Sequence, residues 1–261
     1  MKILVAGCSL SVGCGFSSSL QDPNIWPNLL GKKLNAEITN VSIPGYDNTG
    51  IFLNAVSELT TNKYDLILIQ ITSLNRIVVS PNIYGRIGLT TPVDFNHWKG
   101  RIDKINYTNF YRTLVLVNQD FEHWNRLINV IVTVQNLVDK GYNIKFVNGL
   151  LDWTPDFFNK DRSKFGDRIL NVDDLPGQEI AIGVENLNRD KQKINLDLWI
   201  NPFDTLNSLK VDNASSTDPH PGIKSQHIFS ELIFNYLQQN NERKHHGQTP
   251  TSCKPKSPSS T

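Results

Sequence analysis

Two short runs of consecutive apolar residues constrain this chain more than any other feature, Ile3-Leu-Val-Ala6 and Leu66-Ile-Leu-Ile69, and residues 143–148, centred on Ile144 to Val147, look like a further strand. The first two lack the polar–apolar alternation of a strand with one wet face, and all are short for a buried helix. Such runs suit strands covered on both faces, as in a parallel sheet. Helical patterns lie between them. Residues 23–34 place Ile25, Trp26, Leu29, Leu30 and Leu34 at helical spacing, and residues 51–59 place Ile51, Ala55, Val56 and Leu59 on one face. Residues 119–140 are the longest helix candidate, with an apolar stripe from Trp124 to Val138 and Gly141 at the C-terminal stop. A last helix is expected over residues 221–239, with Pro221 in its first turn and Ile223, Ile228, Leu232, Ile233 and Tyr236 facing inward.

Strands alternating with helices predict an α/β fold, a three-layer α/β/α domain. Its sheet should be mainly parallel and flavodoxin-like, with about five strands, the second being residues 37–41. One domain over residues 1–240 accommodates all of it. Two stretches rich in Pro, Gly and charge, about 76–118 and 152–193, read as irregular insertions. Residues 241–261 offer no apolar face and read as a disordered tail.

A formal net charge of +1 supplies no electrostatic reason to expect a nucleic-acid partner. No apolar run approaches the roughly 20 residues of a membrane span, so no membrane partner is expected either. Val5-Ala6-Gly7-Cys8 superficially resembles a lipoprotein processing site, but the apolar stretch before it falls short of the ~7–15 residues of a signal core. With Cys8, Cys14 and Cys253 odd in number and no export signal, reduced thiols in a cytoplasmic setting are expected.

Three motifs fall where a parallel sheet places its sites, beyond the carboxyl ends of strands. Gly7-Cys8-Ser9-Leu10 follows the first strand. On its own it is most simply a turn or helix cap. Asp218-Pro219-His220-Pro221-Gly222 precedes the last helix. A serine hydroxyl needs a histidine to take its proton, and the histidine needs a third group to hold its tautomer. Asp and His two apart on a proline-flanked loop meet that need, although a capping loop or half of a metal site would look the same. After the second strand comes Asn40-Val-Ser-Ile-Pro-Gly45-Tyr-Asp-Asn48, either a plain turn or a glycine whose N–H can face an oxyanion.

In their order and places the three motifs together resemble the SGNH hydrolase superfamily, the GDSL-like esterases. The resemblance runs from residue 3 to about 237, and its accessory features (Gly13, Gly15, Trp26-Pro27, Asn48) look like a bacterial or phage-type branch. It implies a serine esterase acting on acyl esters, acetyl esters among them, without metal or other cofactor. Ser9 would be the nucleophile, His220 the proton carrier and Asp218 its orienting partner, with the N–H groups of Ser9 and Gly45 in the oxyanion hole. It also makes phage association an alternative to a purely cytoplasmic setting. The family's Gly-x-Asn-Asp block after the third strand is replaced here by Thr72-Ser73-Leu74-Asn75-Arg76. Asn75, Thr72 and Ser73 are therefore the candidates for the missing oxyanion donor, and Arg76 and Asn48 for substrate contacts. Aromatics in the two insertions (Tyr84, Trp98, Tyr107, Tyr111, Trp153, Phe157, Phe158) could stack on a sugar, which makes a carbohydrate ester a candidate substrate, or form a satellite core. The altered third block motivates a rival reading, a weakly active or inactive domain that binds glycan or serves a structural role. Nucleotide binding is a further rival, disfavoured by an incomplete glycine fingerprint and by the lack of an acidic residue ending the second strand.

Overall fold

The computed structural model describes residues 1–73, 77–79, 87–89, 120–151, 194–202 and 204–245. The two apolar runs and the 143–148 segment form strands β1 (Lys2–Ala6), β3 (Leu66–Ile71) and β6 (Ile144–Asn148), joined by β2 (Glu37–Asn40). They make one parallel sheet in the order β2-β1-β3-β6. Register sets Val5 beside Asn40 on one side and Leu68 on the other, and Ile69 beside Phe146. Trp199 forms a parallel bridge to Phe146, so a single residue pair marks where a fifth strand would lie.

Every residue of β3 is buried, so both faces of the sheet are covered. Among the described residues four helices cover them: α2 (Trp26–Leu34), α3 (Asn48–Leu59), α4 (Asp120–Asp139) and α5 (Ile223–His245), with α1 (Ser9–Val12) a single turn. From β1 the chain moves one way across the sheet to β2, then returns past β1 to β3 and on to β6. Crossovers of one right hand running in opposite directions put their helices on opposite faces. In keeping with this, α2 packs on α5, and α3 packs on α4. The reversal falls between β1 and β3, and a crevice forms outside the carboxyl ends of strands at such a point. Ser9 and Thr72 follow those two strands.

The core is filled by Trp26, Phe146, Trp199 and Phe229 among the β-sheet aliphatics, all fully buried or nearly so. Phe146 and Trp199 stack with centroids 4.7 Å apart. The expected helix of residues 51–59 begins earlier, at Asn48, because the Asp47 side chain caps it by accepting from Gly50 N–H at 2.7 Å. Gly141, at φ +96°, stands just beyond the end of α4, where the sequence places a stop.

Two further expectations need correcting. The final helix runs to His245 rather than ending near Gln239, since Gln, Asn, Glu, Arg and Lys over 238–244 include no Pro or Gly to break it. Its inward face is only partly the one expected: Ile233 is buried and Leu232 and Tyr236 pack against the core, but Ile223 and Ile228 are exposed while Ser225, Gln226, Phe229 and Ser230 are buried. The Gln226 carboxamide explains the rotation: its oxygen accepts the Trp26 backbone N–H at 2.8 Å and fastens α5 to the start of α2. Within the stretch read as irregular, β4 (Ile77–Val79) and β5 (Ile87–Leu89) pair antiparallel. The remainder of both insertions lies outside the described residues.

Candidate active site

Ser9 opens α1 directly beyond β1 and is buried to 6% exposure. The turn is closed behind it, as the Cys8 carbonyl accepts the N–H groups of Ser11 at 3.0 Å and Val12 at 3.1 Å. Gly13 then ends the helix at φ +77°, with its N–H on the Ser9 carbonyl. Beside it the loop after β2 continues the β1 pairing, with Ile43 N–H donating to the Gly7 carbonyl at 3.0 Å. Gly45 follows at φ +75°, a left-handed conformation that favours glycine. Among the described residues, the N–H groups of Ser9 and Gly45 have no acceptor.

His220 and Asp218 meet as the motif requires. His220 Nδ1 lies 2.6 Å from Asp218 Oδ1, and the His220 backbone N–H donates to the same oxygen at 2.9 Å. The backbone hydrogen bond from His220 and then the ring hydrogen bond hold the Asp218 carboxyl below the ordinary carboxylate value, against the opposing effect of partial burial. A carboxylate on Nδ1 leaves Nε2 as the proton-accepting nitrogen. The loop itself is braced. Ala214 N–H donates to the His220 carbonyl at 2.7 Å, Asp218 N–H to Ser215 Oγ at 3.0 Å, and Lys210 Nζ to the Pro219 carbonyl at 2.9 Å.

Gly15 brings the two ends of the chain together. A methyl group built on it would lie 2.9 Å from Asp218 Oδ2 and 2.4 Å from Ala214 Cβ, so the segment leaving the Ser9 turn rests against the Asp-x-His loop. Among the described residues Ser9 Oγ makes no hydrogen bond, and the His220 ring bonds through Nδ1 alone. A nucleophile–base bond of this type is often long until substrate is bound.

The third block is tied to the second by a reciprocal pair. Thr72 N–H donates to Asn48 Oδ1 at 2.8 Å, and Asn48 Nδ2 donates to the Thr72 carbonyl at 3.2 Å. Both ends of the buried Asn48 amide are thus engaged with Thr72. The Thr72 hydroxyl is fully buried without a hydrogen-bond partner among the described residues, whereas Ser73 is half-buried. Asn75 and Arg76, and all the aromatics weighed as sugar platforms, lie outside the described residues.

Two residues that sequence reasoning passed over organise this region. Asp212 caps α5 from outside the helix, its carboxylate accepting the N–H groups of Lys224 at 3.0 Å and Ser225 at 2.9 Å and the Ser225 hydroxyl. Burial pushes its pKa up, but the Ser225 and Lys224 hydrogen bonds outweigh it and leave the pKa below 3.8. Asp212→Ala is expected to lower stability by about 1–2 kcal/mol through the lost cap, measured by chemical denaturation at pH 7. An aspartate with a depressed folded pKa stabilises fully above its unfolded value and loses that contribution as pH falls through the folded one. The gap between wild type and Asp212→Ala should therefore narrow below pH 3.8, and a constant gap across pH 3–7 would contradict the assignment.

The other residue is Gln70, the one polar side chain in the β3 run and fully buried. It lies between Gly7 and Gly149. A methyl group on Gly149 would fall 2.1 Å from Gln70 Nε2 and 2.8 Å from the Ile71 carbonyl oxygen. Gly149→Ala should therefore lower stability by about 1–3 kcal/mol by overpacking. That amounts to roughly 2–12 °C in Tm for a chain of this size, read by a thermal melt, and an unchanged Tm would mean that the site has room.

Among the described residues no group of three or more His, Cys, Asp or Glu could hold a metal ion. None of the described helices is long and apolar enough to cross a membrane.

No protein-family model matches the chain, and no curated protein sequence does. Solved structures do. It is similar to TesA at 15% identity and a TM-score of 0.44, covering 92% of this chain and 99% of that one. It is similar to a carbohydrate acetylesterase family member from Sinorhizobium meliloti at 14% identity and a TM-score of 0.42, covering 91% and 97%. A member of the lipolytic protein G-D-S-L family from Veillonella parvula is similar at 13% identity and a TM-score of 0.38, covering 92% and 99%.

Proposed function

We propose that this chain is a serine ester hydrolase of the SGNH type. The observation that carries the reading is the 2.6 Å contact between His220 Nδ1 and Asp218 Oδ1, on a loop packed against the segment that leaves Ser9. In the proposed reaction His220 Nε2 takes the Ser9 proton as Oγ attacks the ester carbonyl. The carbonyl oxygen becomes an oxyanion facing the N–H groups of Ser9 and Gly45. Collapse expels the alcohol, protonated by His220, and leaves an acyl-Ser9 ester. Water, deprotonated by the same nitrogen, then releases the acid and restores Ser9. The Asp218 carboxylate holds the tautomer throughout and offsets the charge on the imidazolium.

Short acyl esters, acetyl esters of carbohydrates among them, are the proposed substrates. Asn48 supports the site through Thr72, and the third oxyanion donor is left to the Thr72–Asn75 segment. Loss of one such donor typically lowers turnover by about 10²–10³-fold, so a modest rate on a simple ester is compatible with an intact triad. Treating the full chain with a fluorophosphonate and locating the adduct by peptide mass spectrometry tests the reading. The adduct is expected on Ser9, together with hydrolysis of p-nitrophenyl acetate. An unmodified Ser9 and no hydrolysis above a buffer blank would instead leave a non-catalytic domain of this fold.

A further inference from the structure

We propose that Gln70 is a positioning residue for the turn that carries the nucleophile, setting the direction of the Ser9 N–H from beneath it; the proposal rests on the esterase reading. Gln70 belongs to β3, the strand beside β1, one place beyond the Ala6–Ile69 pair and level with Gly7. Its Oε1 accepts the Ser11 hydroxyl at 2.6 Å and, at a longer 3.4 Å, the Cys8 N–H. Its Nε2 donates to Cys8 Sγ at 3.1 Å and to the Ile71 carbonyl at 3.4 Å. One carboxamide therefore grips the turn on either side of Ser9, at Cys8 just before it and at Ser11 two residues after it.

The geometry explains what that grip controls. The Ser9 N–H belongs to the same peptide plane as the Cys8 carbonyl, and that carbonyl is held by Ser11 and Val12. With the Cys8 N–H and Sγ held by Gln70, little rotation of that plane is left, and the Ser9 N–H points away from the closed side of the turn. A hydrogen-bond donor aimed at a developing oxyanion contributes in proportion to how well it is fixed beforehand.

Two glycines make the arrangement possible. A methyl group on Gly7 would lie 2.8 Å from Gln70 Oε1 and 2.5 Å from Ser11 Oγ, and one on Gly149 would meet Nε2 from the other side. An apolar residue would fill an all-apolar strand run without needing any of these bonds, and replacing a buried polar pair by apolar groups can be nearly neutral for stability. The carboxamide is thus better accounted for by what it holds than by the core it occupies.

The test compares wild type, Gln70→Met and Gln70→Glu for kcat and KM on p-nitrophenyl acetate and for the rate of fluorophosphonate labelling of Ser9. Gln70→Met keeps the length of the side chain and removes the acceptor; Gln70→Glu restores an acceptor oxygen. Gln70→Met is expected to lower both kcat and the labelling rate by roughly 10–100-fold, within the range of a lost oxyanion donor or below it, with KM changed by less than about twofold. Gln70→Glu should recover at least about fivefold over Gln70→Met. Labelling of folded Gln70→Met at within threefold of wild type, or no recovery in Gln70→Glu, would overturn the proposal. If Gln70→Met does not fold, Ser11→Ala decides: a labelling rate reduced about three- to tenfold supports the proposal, and an unchanged rate overturns it. Wild type that is labelled no better than Ser9→Ala would overturn the esterase reading itself, and the Gln70 role with it.

Discussion

Ser9→Ala is expected to lower kcat on p-nitrophenyl acetate by about 10⁶-fold, to the level left by substrate binding and backbone donors alone, by comparison with removal of the nucleophile in other serine hydrolases. The fold should survive, because Ser9 Oγ makes no hydrogen bond among the described residues and alanine suits the first turn of a helix. Its Tm should stay within about 2 °C of wild type. The double variant Ser9→Ala, His220→Ala should be scarcely slower than either single one, since groups that act as a unit are lost together. Equal activity in wild type and Ser9→Ala would remove Ser9 from the mechanism whatever the rest of the site does.

The second large effect is expected at Asp218. Asp218→Asn keeps the size and an oxygen for the His220 backbone N–H, yet loses the charge facing the ring. The amide can present its NH₂ to Nδ1, which stabilises the tautomer with the proton on Nε2, where it cannot accept from Ser9. A fall in kcat of about 10⁴-fold is expected, with a parallel fall in the rate of fluorophosphonate labelling, since both depend on proton removal from Ser9. Because hydrogen bonds from His220 hold the Asp218 carboxyl below its ordinary value of 3.8, wild type should keep this carboxylate charged down to that pH. A kcat for Asp218→Asn within tenfold of wild type would mean that Asp218 only braces the loop.

Much of the scaffold could be read before any coordinates. Ile3 to Ala6 and Leu66 to Ile69 are apolar without alternation, and only a strand with both faces covered makes use of such a run. The Asp218-x-His220 pairing was equally legible, because two residues apart on a proline-flanked loop is a local geometry that needs no tertiary partner to form. Less local features were not. The first turns of α5 are oriented by Gln226 reaching Trp26 across 200 positions, so the apolar pattern was right for Leu232, Ile233 and Tyr236 and wrong for Ile223 and Ile228, which are exposed.

The sequence by itself determined the class of fold, the order of the parallel strands and the main helices between them, and the identity of the three motifs, all of which follow from hydrophobic period, turn chemistry and short-range spacing. Only the tertiary structure decided that Gly15 rests on Asp218, that Asn48 is occupied by Thr72, and that Asp212 anchors the helix behind His220. It also decided the role of Gln70, which in sequence is one polar letter in an apolar strand and in space is the group beneath Cys8 and Ser11. Contacts of that kind join residues from 13 to about 200 positions apart. Their specificity comes from directional hydrogen bonds and the absence of a methyl group at a glycine, and neither leaves a periodic trace along the chain.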